Sequence, residues 1–311
     1  MTAAPRVLVV GTGGLACALG AGLSRAGGEV TLAGSWSEAL AAIEARGIVV
    51  HQEEETWTAR PRAVAVDGGL DPVSLALVLV KSHSTTRAAA ALGGALEPDG
   101  LAVTLQNGLG NRETLRAVLG SERVLAGVAI LGATVLGPGE VRLVAGRVVL
   151  ERDPRGRGEA LARLLRTAGL GVETTDDLPP IAWTKLAANC AINPLTALHR
   201  LPNGALLEDA QLRAELGRAA REVGAVAEAC GIRLPRDAGQ AALEICRATA
   251  GNRSSMLQDV ERGAPTEIDA LNGAVAREGR RLGVPTPVND HLFAAVRALE
   301  GRPLAAEAAR P

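Results

Sequence analysis

Residues 6–16, Arg-Val-Leu-Val-Val-Gly-Thr-Gly-Gly-Leu-Ala, constrain the fold of this chain more than any other stretch. An apolar strand runs directly into Gly11-x-Gly13-x-x-Ala16, and a helix of small residues follows. In a turn that holds a dinucleotide, the first glycine permits the tight bend. The second lets backbone amides approach a pyrophosphate, and the small third residue lets the helix press on the sheet. The N-terminus of that helix then faces the anion. Gly11, Thr12, Gly13, Gly14, Leu15 and Ala16 are therefore the expected cofactor-contacting residues. The bare motif has low information, but here it follows a strand and the pattern returns to a strand at Val30–Ala33.

Strand and helix signals alternate through the first half of the chain. Strands are expected at Val7–Val10, Val30–Ala33, Ile48–Val50, Ala63–Val66, Leu75–Val80 and Leu101–Thr104. Helices are expected at Gly14–Ala26, Ser37–Ala45, Thr85–Leu96 and Asn111–Leu119. This rhythm predicts a mostly parallel sheet with helices on both faces. From about Val124 the pattern becomes strand-turn-strand, with strands expected at Val128–Val135, Val141–Val144 and Val148–Leu150 around a turn at Gly137-Pro-Gly139, an antiparallel extension of the sheet. A helix at Gly158–Ala168 and a short strand at Val172–Thr174 complete the domain. After Asp176-Asp177-Leu178-Pro179-Pro180 the strand signals stop. Helices are expected at Ile181–Leu198, Ala205–Cys230, Arg236–Ala248, Ser255–Arg262 and Glu267–Leu282. The fold class read from this is α/β: a Rossmann-type, mostly parallel N-terminal sheet with an antiparallel extension, plus an all-α C-terminal domain. The expected domains are 1–177, binding a dinucleotide, and 178–311, helical and substrate-binding or catalytic. Residues from Gly301 to Pro311 read as a frayed tail.

Bulk properties exclude several classes. With 33 basic and 34 acidic residues and no long run of one sign, nothing points to nucleic acid or an anionic membrane surface. The longest apolar runs are strand-sized, well short of the roughly 20 residues that span a bilayer. A strand begins by Val7, which leaves no room for a signal peptide, so a cytoplasmic location is expected. Cys17, Cys190, Cys230 and Cys246 are widely spaced and lack metal-ligand spacing, so they are expected to be free thiols with no metal site. One Phe and no Tyr leave an aliphatic core.

Three segments carry the candidate chemistry. In Trp183-Thr-Lys185-x3-Asn189-x3-Asn193-Pro, the polar residues recur every four positions and share one helix face, while the positions between are apolar or small. A narrow polar stripe on an otherwise buried helix needs partners or a cleft. The plain alternative is a lysine that reaches to the surface beside capping asparagines. Gln106-Asn107-Gly108 follows the strand Leu101–Thr104, at the sheet edge where open α/β folds bind ligands, or is an ordinary Asn-Gly turn. Lys81 closes the strand Leu75–Val80 at the same edge. Farther on, Asn252-Arg-Ser254-Ser255-Met-Leu-Gln-Asp259 begins a helix. Its start reads either as hydroxyls and free amides that hold a carboxylate or as a plain N-cap made by one of the two serines. Thr266-Glu267-Ile268-Asp269 reads either as a capping box or as the site of a catalytic Glu267.

Together these stretches, with Leu201-Pro-Asn203-Gly204, Ser254-Ser255-Met256 and Thr266-Glu267-Ile268-Asp269-x2-Asn272-Gly273, resemble the ketopantoate reductase (2-dehydropantoate 2-reductase) family over nearly the whole chain. The resemblance implies a Rossmann domain and a helical domain enclosing a cleft in which NADPH reduces a 2-oxo acid, ketopantoate to D-pantoate on the way to pantothenate. It implies that Lys185 is the general acid and that Glu267 binds the terminal hydroxyl of the substrate. Asn189, Asn193, Asn203 and Ser255 would position its carboxylate and oxygens, with Asn107 between cofactor and substrate.

The end of the second strand departs from the family pattern. Many members place Arg or Lys there for a 2′-phosphate, whereas this chain has Gly34-Ser35-Trp36-Ser37, with no acidic residue at the strand end either. NADP is still the expected cofactor, with Ser35 and Lys81 as cofactor contacts and Arg46 as a further source of charge. The alternatives are a paralogue acting on another 2-oxo or imino acid, and a non-catalytic NADP-binding sensor. The apolar stripe Ile268, Leu271, Val275 is expected to pack within its domain or to serve a homodimer.

Overall fold

The computed structural model describes residues 5–301, apart from the side chain at position 145; the C-terminal stretch from 302 on, and the tail read there, lie outside the described residues. The chain folds as two compact units. Among the described residues, the first holds 5–106 and 110–178, and the second holds 107–109 and 179–301.

The first unit is built on ten strands: β1 (Arg6–Val10), β2 (Glu29–Gly34), β3 (Ile48–Gln52), β4 (Glu55–Ala59), β5 (Arg62–Ala65), β6 (Val73–Val78), β7 (Leu96–Thr104), β8 (Val124–Gly137), β9 (Glu140–Glu151) and β10 (Gly171–Thr175). Their order across the sheet is β4-β3-β9-β8-β7-β6-β1-β2-β5, with β10 also paired to β9. The run β8-β7-β6-β1-β2-β5 is parallel, as strands joined by crossover helices must be. The long β8–β9 hairpin is the antiparallel extension.

Alternation along the central strands explains why they read as unbroken apolar runs. Val7 and Val9 of β1, Leu75 and Leu77 of β6, and Leu101 and Val103 of β7 enter the core on one face. Leu8 and Val10, Ala76 and Val78, and Ala102 enter the core on the other. A parallel strand covered on both sides has no solvent face on which to place polar residues. Helices α1 (Gly14–Arg25) and α5 (Gly158–Thr167) supply the first core with Leu19, Leu23, Leu161 and Leu165. Helices α3 (Thr85–Ala95) and α4 (Asn111–Leu119) supply the second with Leu92 and Leu115. Helix α2 (Ser37–Arg46) follows β2.

Two strand expectations need correction. Glu55–Ala59 forms β4, whose polar sequence hid it: it pairs only through β3 at the sheet margin. The stretches Val141–Val144 and Val148–Leu150 are one strand, β9, continuous through Gly146, which lies tight against Ile130 of β8.

In the second unit, α6 (Pro179–His199) runs through its centre. It is followed by α7 (Ala210–Ala229), α8 (Ala238–Ala248), α9 (Ser255–Glu261), α10 (Asn272–Leu282) and α11 (Pro287–Glu300). Helix α7 packs through Leu216, Ala219, Ala220, Val223, Val226 and Ala227, the 3–4 spacing of an amphipathic helix. Here too some expectations fail. The helix expected from Ala205 is split, because Asp209 caps α7 by accepting from the amides of Gln211 and Leu212, and 203–207 forms a short 3-10 turn. The helix expected from Glu267 starts at Asn272. Leu271 leaves helical space (φ −96°, ψ −105°), and 267–271 folds as a turn closed by the Ala270 and Leu271 amides on the Glu267 carbonyl. Helix α11, opened by Pro287 and Val288, was not expected at all. The stripe Ile268, Leu271, Val275 is fully buried inside this unit, so it is not available to a second copy.

Candidate functional site

The glycine turn belongs to the first unit and the polar stripe of α6 to the second. Gly11 stands at φ +137°, and a Cβ there would lie 2.9 Å from the Leu79 carbonyl oxygen and 3.2 Å from Ala16 Cβ. The residue is therefore fixed by both its backbone and its neighbours. Thr12 is buried against Gly34, where any Cβ would lie 2.5 Å from the threonine side chain. That contact joins the turn to the end of β2. Gly13 is different: it is exposed, its φ of −79° suits any residue, and an added Cβ would meet nothing within 4 Å. It is the N-cap of α1, whose first turn carries no acidic residue. An open surface, an exposed glycine and a helix N-terminus without negative charge fit a pyrophosphate. Gly14 and Leu15 are half-buried, Ala16 is buried, and a Cβ on Gly14 would lie 2.6 Å from the Ala133 carbonyl of β8.

Beyond β2, Ser35 is exposed. The Ser37 hydroxyl donates to Glu38 Oε2 (2.9 Å), and the Glu38 carboxyl is held below the usual range by its own backbone amide and then by Ser37. Glu38 lies in the first turn of α2, four residues past Gly34, so it does not show as an acidic residue at the strand end. Arg46, at the far end of α2, donates to the Pro138 carbonyl (2.7 Å). Lys81 is half-buried and precedes the short turn 82–84. Gln106 serves as an internal brace: its amide donates to the Val80 carbonyl and to Thr85 Oγ1 (both 2.8 Å), and Thr104 Oγ1 donates back to it (2.9 Å). Thr104 and Thr85 carried no motif that would have singled them out.

In the second unit, α6 buries Trp183, Leu186, Ala187, Ala188, Cys190, Ala191 and Ile192, leaving Lys185 and Asn189 half-buried. Burial draws the Lys185 ammonium down to about 8, and the negative charge of Glu267 pushes back against that fall. Glu267 is itself buried at 8 % exposure. Asn107 stands between the two elements: its amide donates toward Glu267 Oε2, and Asn189 donates toward Asn107 Oδ1, both at the loose limit of 3.5 Å. What brings Asn107 here is Gly108. At φ +83° it lies so close to Ala270 that a Cβ would be 2.5 Å from that carbonyl oxygen, to which the Leu109 amide donates at 2.9 Å. The Asn107 turn is thereby docked, backbone to backbone, on the Glu267 turn.

The other candidates form a neighbouring group. Asn193, buried at 7 % exposure, offers its carbonyl to Thr196 Oγ1 (2.9 Å), and Thr196 Oγ1 meets Ser254 Oγ at 2.6 Å. Ser254 is the N-cap of α9, accepting from the Leu257 amide (3.0 Å). Ser255 is exposed at the first position of that helix. Asn203 is buried and donates to Thr249 Oγ1 (2.9 Å), while its Oδ1 has no partner among the described residues. Asn203 is tied to the segment before α9 by its own amide, which donates to the Asn252 carbonyl. Among the described residues no cluster of His, Cys, Asp or Glu suits a metal, and no helix is long and apolar enough to cross a membrane. The cysteines are free, and burial pushes the Cys17 thiol up to about 12.

Comparison with known proteins identifies the family of the chain. Residues 7–152 match the family model described as "Ketopantoate reductase PanE/ApbA", and residues 177–300 match its "C terminal" companion. The chain belongs to the ketopantoate reductase family. It is 37 % identical over 291 residues to a 2-dehydropantoate 2-reductase of Halobacterium salinarum, covering 91 % of this chain and 95 % of that one. It is 34 % identical over 305 residues to the same enzyme of Archaeoglobus fulgidus, covering 95 % and 98 %. A crystal structure of a family ketopantoate reductase from Ralstonia eutropha superposes with a TM-score of 0.87 at 36 % identity, over 95 % of this chain and 98 % of that one. Membership of the ketopantoate reductase family makes this chain an oxidoreductase with the Rossmann-type fold read from its sequence. A D-mandelate dehydrogenase solved with NADH shares the fold (TM-score 0.88, 24 % identity).

Proposed function

We propose that the chain is an NADPH-dependent 2-dehydropantoate 2-reductase, converting ketopantoate to D-pantoate. The observation that carries this reading is the pairing of a desolvated Lys185 with a buried Glu267, flanked by Asn107 and Asn189. The relatives named for this reaction supply the substrate.

NADPH, when bound, supplies the hydride. Hydride arriving at the keto carbon leaves negative charge on its oxygen, and Lys185 stabilises that charge and donates the proton. An ordinary lysine would hold its proton too tightly at neutral pH, and desolvation brings Lys185 into the useful range. Glu267 accepts a hydrogen bond from the substrate's hydroxyl and keeps Lys185 from losing its proton in the resting enzyme. Asn107, Asn189, Asn193, Asn203 and Ser255 orient the substrate's carboxylate and oxygens. Gly11 to Ala16 hold the pyrophosphate, and Ser35 and Lys81 are the proposed contacts that favour NADPH. A cytoplasmic location goes with this chemistry and with the free thiols.

The test is a matrix of NADPH and NADH against ketopantoate and a panel of other 2-oxo acids, ranked by kcat/KM. Ketopantoate with NADPH is expected to rank first; another acid ranking first identifies a paralogous reductase, and turnover of none identifies a binding protein. In the same assay Lys185→Ala is expected to lose roughly 10²–10⁴-fold in kcat.

A further inference from the structure

Helix α6 contains Pro194 in its interior, yet remains helical from Pro179 to His199. A proline there has no amide hydrogen to give the carbonyl four residues back, and its ring crowds that carbonyl. The orphaned group is the carbonyl of Cys190, a fully buried residue that cannot turn to water. Its partner comes from another element. Asn272 Nδ2 donates to the Cys190 carbonyl at 2.8 Å and, with its other hydrogen, to Asn289 Oδ1 at 3.0 Å. Both neighbours are acceptors, so the side chain must present two hydrogens, which a neutral amide does without burying a charge. Asn289 is anchored in turn, its amide donating to the Ala219 carbonyl (3.0 Å) and to Glu222 Oε2 (2.8 Å). Asn272 and Asn289 are both completely buried.

The location of this clamp matters more than its strength. On α6, Lys185 and Asn189 precede the proline-freed carbonyl and Asn193 follows it. On the other side, Asn272 is the first residue of α10 and directly follows the turn 267–271 that begins at Glu267. We propose that Asn272 is a positioning residue for the reaction: by satisfying the carbonyl that Pro194 orphans, it fixes the register of the Lys185 stripe against the Glu267 turn. This rests on the roles given above to Lys185 and Glu267.

The experiment is a double-mutant cycle on the full chain: Asn272→Ala, Pro194→Ala, and both together, each measured for kcat and KM with NADPH and ketopantoate, and for Tm. Asn272→Ala is expected to lower kcat by about 10–10²-fold, the scale of a small misplacement of reacting groups, with KM for NADPH unchanged. Pro194→Ala returns an amide hydrogen to the Cys190 carbonyl, so the double variant is expected to recover most of the lost kcat and Tm, judged against Pro194→Ala as its own reference. A role confined to bulk stability would restore Tm and leave kcat untouched throughout. A folded Asn272→Ala with wild-type kcat overturns the proposal, and so does a double variant as slow as Asn272→Ala. Should Asn272→Ala fail to fold, Asn272→Ser, which shortens the side chain and leaves it a single hydrogen to give, takes its place: a lowered kcat in that folded variant supports the proposal and a wild-type kcat overturns it. Lys185→Ala run alongside separates two failures. Wild-type turnover there defeats the reading of the reaction and this proposal with it. A slow Lys185→Ala beside an unimpaired Asn272→Ala defeats this proposal alone.

Discussion

The ammonium of Lys185 and the carboxylate of Glu267 act on each other through a poorly solvated region, where the charge of Glu267 opposes the burial that draws Lys185 down to about 8. A general acid must be protonated to act, so the rate of reduction is expected to be level below about pH 8 and to fall about tenfold per pH unit above it. Glu267 raises the lysine's pKa, so removing its charge must lower it. In Glu267→Gln the break in the kcat profile is therefore expected at lower pH, along with a higher KM for the acid. A break that stays in place or moves upward excludes this electrostatic coupling.

The two motif glycines of the turn should fail in different ways. Gly11 is locked at a positive φ with a carbonyl where its Cβ would be. Gly11→Ala is thus expected to cost about 1–3 kcal/mol of stability from backbone strain alone. Gly13 has an ordinary φ and open space beside it. Gly13→Val is expected to leave Tm nearly unchanged while raising KM for NADPH at least about tenfold, because the side chain fills the space the pyrophosphate needs. Thermal melts and cofactor titration of both variants check this. Equal cofactor affinity in Gly13→Val and wild type removes the turn from the binding site.

Much of the first unit was legible because its strands are buried on both faces, and Val7 to Val10 show that plainly. The margin was not: β4 reads Glu-Thr-Trp-Thr-Ala, and its strand character comes from pairing with β3 rather than from its own residues. Lys185, Asn189 and Asn193 were legible as one stripe because helical spacing is local. That Asn107 joins Asn189 and Glu267 was not, since the partners lie 82 and 160 residues away and the link runs through Gly108 lying against Ala270. The Glu267 turn was misread for a related reason. Thr266-x-x-Asp269 mimics a capping box, but Thr266 Oγ1 accepts from the Ile268 amide (3.2 Å), and its own amide goes to Glu300 Oε1 (2.7 Å). Glu300 belongs to α11, 34 residues farther along the chain, so this partner is not visible in the local pattern around Thr266.

Ser254 and Ser255 are adjacent and separable. Ser254 is buried, caps α9 and touches Thr196, so Ser254→Ala is expected to cost about 1 kcal/mol of stability, typical of a lost N-cap. Ser255 is exposed at the next position, and Ser255→Ala is expected to keep the wild-type Tm while raising KM for the acid several-fold, the effect of one lost hydrogen bond. If Ser255→Ala changes neither, the substrate contact assigned to it is wrong; if it lowers Tm as much as Ser254→Ala, the division between cap and contact is wrong.

Glu38 bears on the choice of cofactor. It lies in the first turn of α2, just after the Gly34-Ser35 end of β2, and engages the hydroxyl of Ser37. In dinucleotide-binding folds this is the region where an acidic side chain bonds the ribose hydroxyls of NADH and repels the 2′-phosphate of NADPH. As an exposed carboxylate it is charged throughout the neutral range, and its own backbone amide and Ser37 lower its pKa further. Glu38→Gln removes the repulsion and frees Ser37 from a charged acceptor, so kcat/KM for NADPH is expected to rise several-fold while that for NADH stays level or falls. The gain should shrink as salt is added, because an exposed charge is screened over about 10 Å at 0.1 M. An unchanged NADPH-to-NADH ratio at low salt means that the adenosine ribose lies away from α2, and that Ser35 is not a contact either.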